Sequence, residues 1–316
     1  MPIDVAINIE TSPYAEGLRA MFDVHDMVAG IQSLSPDARA KIEVLVTNGM
    51  IGADRTVIEA LPKLKLIACV GTGYEAIDVE AARDNGVLVT SAAGANAPAV
   101  ADHAMGLLLS LVRDIPRQDS GVRAGTWRKG FAPRPMLTGK TIGIAGLGDI
   151  GSRIARRAEA FDMEVLYFTR RPRPDAPWGH VADLKTLAER ADVLMTVLPG
   201  GAATHHLVDS AVLAALGPKG YLVNVGRGNV VDTDALITAL ETNAIAGAAL
   251  DVFETEPQVP EALFRLANLV MTPHMAGISP EVQAISLDLV ARNIRSVMAG
   301  DGPLTPVPEC AERSGA

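Results

Sequence analysis

The sequence predicts an α/β protein of two doubly wound, Rossmann-like domains with an interdomain cleft. The 316-residue chain alternates short apolar runs with helical stretches twice, once before residue 100 and again after residue 140. The second series opens with Gly146-Leu147-Gly148-Asp149-Ile150-Gly151, which follows the apolar run Thr141–Ala145 and precedes a helical stretch, Ser152–Phe161. In a strand–turn–helix unit, a G-x-G-x-x-G segment binds the pyrophosphate of a dinucleotide at the helix N-terminus. These six residues are therefore predicted to bind a cofactor.

Ten strands are predicted, four in the first series and six in the second. Those of the first series are Ile3–Ile9, Val44–Thr47, Leu66–Val70 and Val87–Thr90. Those of the second are Thr141–Ala145, Glu164–Phe168, Asp192–Val197, Gly220–Val225, Ala246–Leu250 and Leu269–Thr272. An apolar helix is predicted over Ala99–Leu111, with Pro98 at a favourable first-turn position, followed by a loop-rich stretch, Arg113–Pro135.

A closing helix, about Pro280–Met298, lies beyond the sixth strand of the second series. We expect it to return to the first domain, which makes that domain discontinuous. The predicted domains are residues 1–97 with 285–316 for the substrate, and 98–284 for the dinucleotide.

Composition excludes several classes of protein. Hydrophobic residues make up 48 % of the chain, and no apolar run reaches the ~18 residues needed to cross a bilayer. The formal net charge of -9 disfavours a nucleic-acid partner. The two cysteines, Cys69 and Cys310, form neither a disulfide framework nor a metal-ligand pattern, and Cys69 is expected to be buried. We expect a cytoplasmic protein without a metal.

The end of the second strand of the second series indicates which dinucleotide binds. An NAD site usually has a carboxylate there, but this strand runs into Thr169-Arg170-Arg171, and the next carboxylate is Asp175. Arginines pair with a 2′-phosphate, whereas an aspartate repels it. The sequence therefore favours NADP(H) over NAD(H), with Arg170 as the main phosphate ligand and Arg171 or Thr169 assisting.

Three later strands are each followed by a chemically capable side chain: Arg227, Glu256 and His274. The carboxyl ends of strands in an open parallel sheet meet at one edge, so these residues can converge. An arginine holds a carboxylate and polarises the adjacent carbonyl, an imidazolium delivers a proton, and a glutamate orients the imidazole and favours its charged form. The three are predicted to be catalytic.

Several ordered motifs resemble those of D-2-hydroxyacid dehydrogenases along almost the whole chain. They are Val70-Gly71-Thr72-Gly73-Tyr74, Asn96 to His103, Gly146 to Gly151, Asn224 to Gly228, Asp251 to Pro257 and Thr272 to Gly277. Arg170-Arg171 and Leu216 to Gly220 make the chain most similar to the NADPH-dependent glyoxylate/hydroxypyruvate and hydroxyphenylpyruvate reductases of that family. The resemblance implies reduction of a small 2-oxo acid to the D-2-hydroxy acid.

The resemblance also implies roles for single residues. Arg227 corresponds to the carboxylate-binding arginine, His274 to the acid/base and Glu256 to its partner. The amides of Val70, Gly71, Thr72 and Gly73 would bind the substrate carboxylate, and Asp251 would hold the nicotinamide carboxamide. The other residues implied to contact the cofactor are Leu198, Pro199, Thr204, Val225, Gly226, Ala276 and Gly277. The run Met275 to Ser279 departs from many relatives, which leaves the detailed nicotinamide contacts open.

Two other functions stay open at this point. One is a dinucleotide-sensing binding protein on the same fold. The other is an NAD-linked dehydrogenase. Two observations oppose it: the arginine pair, and the absence of sequence for a regulatory C-terminal domain.

Several side chains also keep two interpretations. His103 fits helix packing or an interface, and His205-His206, placed at a helix start, fit capping, cofactor contact or plain exposure, with a metal pair disfavoured because adjacent helical residues face apart. Met50 and Ile51 fit a substrate pocket or the core. The 99–135 region is implied to form a homodimer, in which Trp127 either packs in the core or reaches the partner's active site.

Overall fold

The chain forms two compact α/β units in the computed structural model, which describes residues 3–9 and 12–311. The terminal unit comprises Met1–Asn96 and Ile278–Ala316, and the central unit comprises Ala97–Gly277. The chain re-enters the terminal unit at 277/278, ahead of the closing helix that begins at Pro280, whereas the predicted boundary of 284/285 falls inside that helix.

The terminal unit contains a five-stranded parallel sheet of order β2-β1-β3-β4-β5. Its strands are β1 (Asp4–Ile7), β2 (Asp23–Asp26), β3 (Val44–Thr47), β4 (Leu66–Cys69) and β5 (Leu88–Ser91). Four helices connect them: α1 (Ser12–Arg19), α2 (Pro36–Arg39), α3 (Arg55–Glu59) and α4 (Val79–Asp84). Cys69 is buried, as predicted.

The central unit contains a seven-stranded parallel sheet of order β12-β11-β10-β9-β6-β7-β8. Its strands are β6 (Thr141–Ala145), β7 (Glu164–Phe168), β8 (Gly179–His180), β9 (Val193–Thr196), β10 (Tyr221–Asn224), β11 (Gly247–Leu250) and β12 (Leu269–Met271). Its helices are α5 (Ala97–Arg113), α6 (Ile115–Arg123), α7 (Asp149–Glu159), α8 (Leu184–Arg190), α9 (Ser210–Leu216) and α10 (Thr233–Glu241). Back in the terminal unit, α11 (Pro280–Ala299) and α12 (Pro308–Ala311) follow.

Both sheets are parallel and covered by helices, which confirms the predicted fold class. The strand order of the central sheet reverses between β6 and β9, and an open α/β sheet binds ligands at the carboxyl ends of its strands near such a point. The glycine-rich turn follows β6 and therefore lies at this position.

Apolar side chains fill both faces of the central sheet. Ile142 and Ile144 of β6 join one core cluster with α5 and α7, and Ala145 joins a second cluster with α8, α9 and α10. Successive residues of a strand point to opposite faces, so a strand covered on both faces is apolar throughout. This rigid sheet holds the loops at its carboxyl edge. Among the described residues, no helix is long and apolar enough to cross a membrane.

Three sequence expectations about elements were wrong. The edge strands β2 and β8 were not predicted, and the 113–135 stretch contains α6 and a short 3-10 turn, Arg128–Gly130, rather than loop alone. The helix after the glycine turn begins immediately after Gly148, so it runs over Asp149–Glu159 instead of the predicted Ser152–Phe161.

Candidate active site

Arg227, Glu256 and His274 lie on the loops that follow β10, β11 and β12, which are neighbours in the sheet. The Nδ1 atom of His274 lies 2.7 Å from Oε2 of Glu256. The other oxygen of Glu256, Oε1, accepts the backbone N–H of Phe253 at 2.8 Å. The carboxylate is therefore held at both oxygens, and it fixes the orientation of the imidazole.

His274 has a left-handed backbone conformation, with φ 54°. Few residues other than glycine adopt it, and such positions cost about 1–3 kcal/mol and cluster at functional sites. Its own N–H donates to the carbonyl oxygen of Asp251 at 2.8 Å. The turn is thus held by its surroundings in a conformation that the isolated chain disfavours.

The electrostatic surroundings favour the charged state of both partners. The hydrogen bond to Glu256 raises the pKa of His274 above its ordinary value, although partial burial and the positive charge of Arg227 oppose this. Burial alone would raise the pKa of Glu256, but the hydrogen bonds from His274 and Phe253 and the charges of His274 and Arg227 together lower it. The pairing therefore favours an imidazolium at His274 and a carboxylate at Glu256.

Asn224, at the end of β10, sets the backbone of the turn that carries Arg227. It is 1 % exposed, its Nδ2 donates to the carbonyl oxygen of Arg227 at 3.0 Å, and its Oδ1 accepts from the Thr196 hydroxyl and the Gly226 N–H. The half-buried Arg227 side chain passes beside Gly200, and its Nη1 donates to the carbonyl oxygen of Gly226 at 2.9 Å. Its charge acts on both His274 and Glu256.

The glycine-rich turn after β6 has the geometry that a dinucleotide requires. Gly146 has φ 100°, and a β-carbon at Gly151 would overlap the carbonyl oxygen of Gly146. A β-carbon at Gly148 would meet nothing within 4 Å, and no side chain caps the N-terminus of α7 at this residue. This leaves the first amides of α7 open to a phosphate. Asp149 does not oppose binding directly, because its carboxylate pairs with Arg153 of the same helix at 2.9 Å.

Comparison with known proteins agrees with this geometry. Residues 105–276 match the family model described as D-isomer specific 2-hydroxyacid dehydrogenase, NAD binding domain. The chain belongs to this family. It is 40 % identical over 270 residues to glyoxylate/hydroxypyruvate reductase A of Arabidopsis thaliana, covering 85 % of this chain and 86 % of the relative. It is also 40 % identical over 267 residues to hydroxyphenylpyruvate reductase of Plectranthus scutellarioides, covering 84 % and 85 %.

A solved structure extends the likeness to the whole fold. The NADPH-dependent glyoxylate/hydroxypyruvate reductase of Sinorhizobium meliloti, in complex with NADP and malonate, is 38 % identical with a TM-score of 0.90, over 98 % of both chains. This chain is accordingly a D-2-hydroxyacid dehydrogenase, an oxidoreductase that uses a nicotinamide dinucleotide.

Asp251 of this dehydrogenase is 1 % exposed and holds the His274 turn. Its Oδ1 accepts from the Thr272 hydroxyl at 2.5 Å and from the Met275 N–H at 2.9 Å, and its Oδ2 accepts from the Ala276 N–H at 2.9 Å. A carboxylate has about four acceptor positions, so one is left for a ligand such as a carboxamide. No pattern in the sequence had indicated that Asp251 would hold this turn.

His103 belongs to the same network. Its Nε2 lies 2.9 Å from the Thr272 hydroxyl and 3.4 Å from Asp251 Oδ1, so α5 is tied to the turn that carries His274. The sequence analysis assigned His103 to helix packing or an interface and did not predict these contacts with Thr272 and Asp251.

Two loops predicted to contact the cofactor are well defined. Arg170 and Arg171 are exposed after β7, and across residues 3–9 and 12–311 their side chains make no hydrogen bond or ion pair. The Thr169 hydroxyl donates to the carbonyl oxygen of Arg171 at 2.6 Å. In the second loop, the Thr204 hydroxyl donates to the carbonyl oxygen of Pro199 at 2.7 Å, which closes the segment after Leu198. The remaining predicted cofactor residues differ in exposure: Val225, Gly226 and Ala276 are buried, and Gly277 is half-buried.

The loop after β4 in the terminal unit contains the backbone amides that were predicted to bind the substrate carboxylate. The N–H of Val70 donates to the carbonyl oxygen of Thr47 at 2.9 Å, continuing the β4–β3 ladder, so this amide is not a donor for a substrate carboxylate. Gly71, Thr72 and Gly73 are half-buried, and the Thr72 hydroxyl lies 3.0 Å from Oδ1 of Asn96. The predicted amide donors are thereby reduced to Gly71, Thr72 and Gly73.

The placement of His205 and His206 corrects a sequence expectation. They lie in a turn before α9, not in a helix, and their rings are 3.9 Å apart at 33°. His206 Nε2 lies 2.6 Å from Oε1 of Glu254, a pairing that the sequence analysis missed. The only available signal was the position of Glu254 in the same segment as Glu256. The predicted absence of a metal stays a prediction.

Other open alternatives concern exposed apolar side chains. Trp127 is 76 % exposed, so its interpretation as a core residue is wrong. Met50 and Ile51 are 66 % and 50 % exposed, which also excludes the core for them.

Proposed function

We propose that this dehydrogenase reduces a small 2-oxo acid, of the glyoxylate or hydroxypyruvate kind, to the D-2-hydroxy acid with NADPH, and that His274 is the general acid. The observation that carries this proposal is the 2.7 Å contact between His274 Nδ1 and Glu256 Oε2. A hydrogen bond to a carboxylate favours the charged imidazolium, and the other ring nitrogen is then able to donate a proton.

A nicotinamide dinucleotide, when bound, would supply the hydride. Arg227 binds the carboxylate of the 2-oxo acid and polarises its carbonyl group through N–H donors of the guanidinium. His274 Nε2 transfers its proton to the carbonyl oxygen, and Glu256 stabilises the imidazolium before the transfer. The turn of Gly71 to Gly73 is proposed to add backbone N–H donors for the substrate carboxylate.

A preference for NADPH is supported by the exposed arginines after β7. Arg170 and Arg171 have no acidic partner among the described residues, and the strand is not followed by a carboxylate until Asp175. Guanidinium groups bind a 2′-phosphate bidentately, so these two side chains are suited to the additional phosphate of NADPH. The relative from Sinorhizobium meliloti is described as NADPH-dependent.

We also propose a homodimer through the 99–135 region. Ile115, Val122 and Trp127 are 49 %, 51 % and 76 % exposed on this segment. Several large exposed apolar side chains on one segment are suited to a protein interface. Size-exclusion chromatography with light scattering, on the protein and on Trp127→Ser, tests this assembly.

The primary test is the initial rate of NADPH and of NADH oxidation with glyoxylate, hydroxypyruvate, phenylpyruvate and 2-ketogluconate. A rate that depends on an added 2-oxo acid and is higher with NADPH supports the proposal. Binding of NADPH without turnover on any of them contradicts it and favours a dinucleotide-sensing protein. Faster turnover with NADH contradicts the role given to Arg170 and Arg171.

A further inference from the structure

The structure contains a second histidine–glutamate pair, His206 with Glu254, whose glutamate lies two residues before Glu256 in the same loop. His206 Nε2 is 2.6 Å from Glu254 Oε1, and the Thr233 hydroxyl donates to Glu254 Oε2 at 2.8 Å. Both oxygens of Glu254 are therefore engaged, as are both oxygens of Glu256. The contacts join three separate segments: the turn before α9, the start of α10 and the loop after β11.

The two pairs are connected through the backbone of Phe253. Its N–H donates to Glu256 Oε1 at 2.8 Å, and Phe253 is the residue immediately before Glu254. Because the two residues are adjacent, the position of Glu254 determines the position of the Phe253 N–H. This N–H orients the Glu256 carboxylate, and so sets the position at which Oε2 contacts His274 Nδ1. A continuous path of contacts runs from His206 through Glu254, Phe253 and Glu256 to His274.

We propose that His206 and Glu254 are positioning residues for the His274–Glu256 pair, an inference that rests on the function proposed above. Neither residue needs to touch substrate or cofactor in this role. His206 and Glu254 fix the loop after β11, so that Glu256 presents its Oε2 to the imidazole of His274 in one geometry.

The charges around His206 support a pair that is held by electrostatics as well as by shape. Its Nε2 meets Glu254, and its Nδ1 lies 3.9 Å from Oδ2 of Asp232. The negative charge of Asp234 in α10 also acts on the ring, which stacks on His205. The hydrogen bond to Glu254 raises the pKa of His206; burial opposes this, and the charges of the three carboxylates add to the rise. His206 also has a left-handed backbone, with φ 50°, and its N–H donates to the carbonyl oxygen of Asn229 at 2.8 Å.

Loosening this pair has a defined consequence for the proton donor. His274 owes its raised pKa first to the hydrogen bond with Glu256, so a displaced Glu256 lowers the pKa of His274. Reduction needs the protonated imidazole, and the rate therefore falls as pH rises through that pKa. A His206 variant should lose activity at a lower pH than the unmodified enzyme.

The test compares His206→Ala and His206→Gln with a matched control. A glutamine retains a side-chain N–H donor for Glu254 without the ionisation. The control is His25→Ala, because His25 forms a similar half-buried pair with Asp4 at 2.8 Å on β1 and β2, and neither residue is among the proposed site residues. Circular dichroism and the binding of NADPH, followed by fluorescence, confirm that each variant is folded.

We expect His206→Ala to lower kcat about tenfold or more, since displacement of catalytic groups by 1 Å can cost ~10²-fold. The KM for the 2-oxo acid should change little, and the alkaline limb of the kcat/KM profile should move to lower pH. His206→Gln should recover most of kcat, and His25→Ala should leave both kcat and the profile unchanged.

Failure of this inference is distinct from failure of the proposed function. If the unmodified enzyme reduces 2-oxo acids and folded His206→Ala keeps its kcat and its pH profile, the positioning role is overturned while the function stands. If the unmodified protein reduces none, the proposed function itself fails. Loss of activity on chelation, restored by Zn²⁺, would also overturn the inference, because His205, His206 and Glu254 would then serve as metal ligands.

Discussion

His274 meets Glu256 through Nδ1 at 2.7 Å, which leaves Nε2 as the ring nitrogen without a hydrogen-bond partner in the described part of the chain. The tautomer and orientation of a catalytic imidazole are set by the hydrogen bond that its other nitrogen makes. In the proposed mechanism, the proton is therefore transferred from one atom, Nε2.

Replacing His274 by alanine should lower kcat about 10²–10⁴-fold, the usual contribution of a general acid. The Kd of NADPH should stay within about twofold of the unmodified value, because the fingerprint turn after β6 is untouched. Stopped-flow kinetics and a fluorescence titration measure the two quantities. An equal loss of cofactor binding would contradict the role assigned to His274.

Glu256→Gln should alter the pH dependence of reduction. The Glu256 hydrogen bond raises the pKa of His274, so its loss lowers that pKa and the alkaline limb of kcat/KM should shift to lower pH. The rate at acid pH should suffer less, because the imidazole is protonated there in both forms. Glu261→Gln, an exposed change on the same stretch of chain, should leave the profile in place.

Arg227→Ala should raise the KM for 2-oxo acids and lower kcat, while NADPH binding is retained. The reason is that the guanidinium is proposed to contact the substrate carboxylate and carbonyl rather than the cofactor. Arg227→Lys should restore only part of the loss, since a lysine lacks the bidentate fork. Full rescue by lysine would show that a point charge is sufficient.

Arg170→Ala should weaken NADPH without weakening NADH. Charge-assisted hydrogen bonds contribute about 1.5–3 kcal/mol, so the KM for NADPH should rise on the order of tenfold to a hundredfold. Arg171→Ala should have the same sign and a smaller size. Arg190→Ala, another exposed arginine of the central unit, serves as the control. Equal effects on both cofactors would reject recognition of the 2′-phosphate.

Thr272→Val should destabilise the protein, because its hydroxyl donates to the fully buried Asp251. Leaving a buried charged acceptor short of a partner costs about 1–3 kcal/mol. Urea unfolding should show a lower midpoint with an unchanged m-value. Thr242→Val removes an exposed hydroxyl that donates to the carbonyl oxygen of Thr238, and it should cost under about 0.5 kcal/mol.

The regular parts of the fold were accessible from sequence because their residues follow one dominant rule. The strands β3, β6 and β7 have the predicted bounds, since continuous apolar runs between turn residues have few other solutions. The edge strand β2, Asp-Val-His-Asp, was missed because it shows no apolar run. The polar helix α6 was missed because it buries no residue and shows no strong apolar face.

The candidate site was predictable in composition but not in its supporting contacts. Strand order alone brings Arg227, Glu256 and His274 to one edge of the sheet. By contrast, the pairing of His206 with Glu254 depends on a left-handed turn, and the engagement of the Val70 amide depends on where the β4–β3 ladder ends. Such contacts are set by backbone geometry between distant segments, for which periodicity carries no information.

The terminal unit draws its core from both ends of the chain. Val290, Ala291 and Ile294 of α11 pack with Val5 and Ile7, and Val307 and Cys310 pack with Ile67 and Val89. During synthesis, the first five strands leave the ribosome well before these partners exist, whereas all of the central unit emerges in one stretch. The nascent chain must therefore carry a five-stranded sheet whose apolar surface is only partly covered until α11 is made, and during this interval that surface is open to contact with other chains.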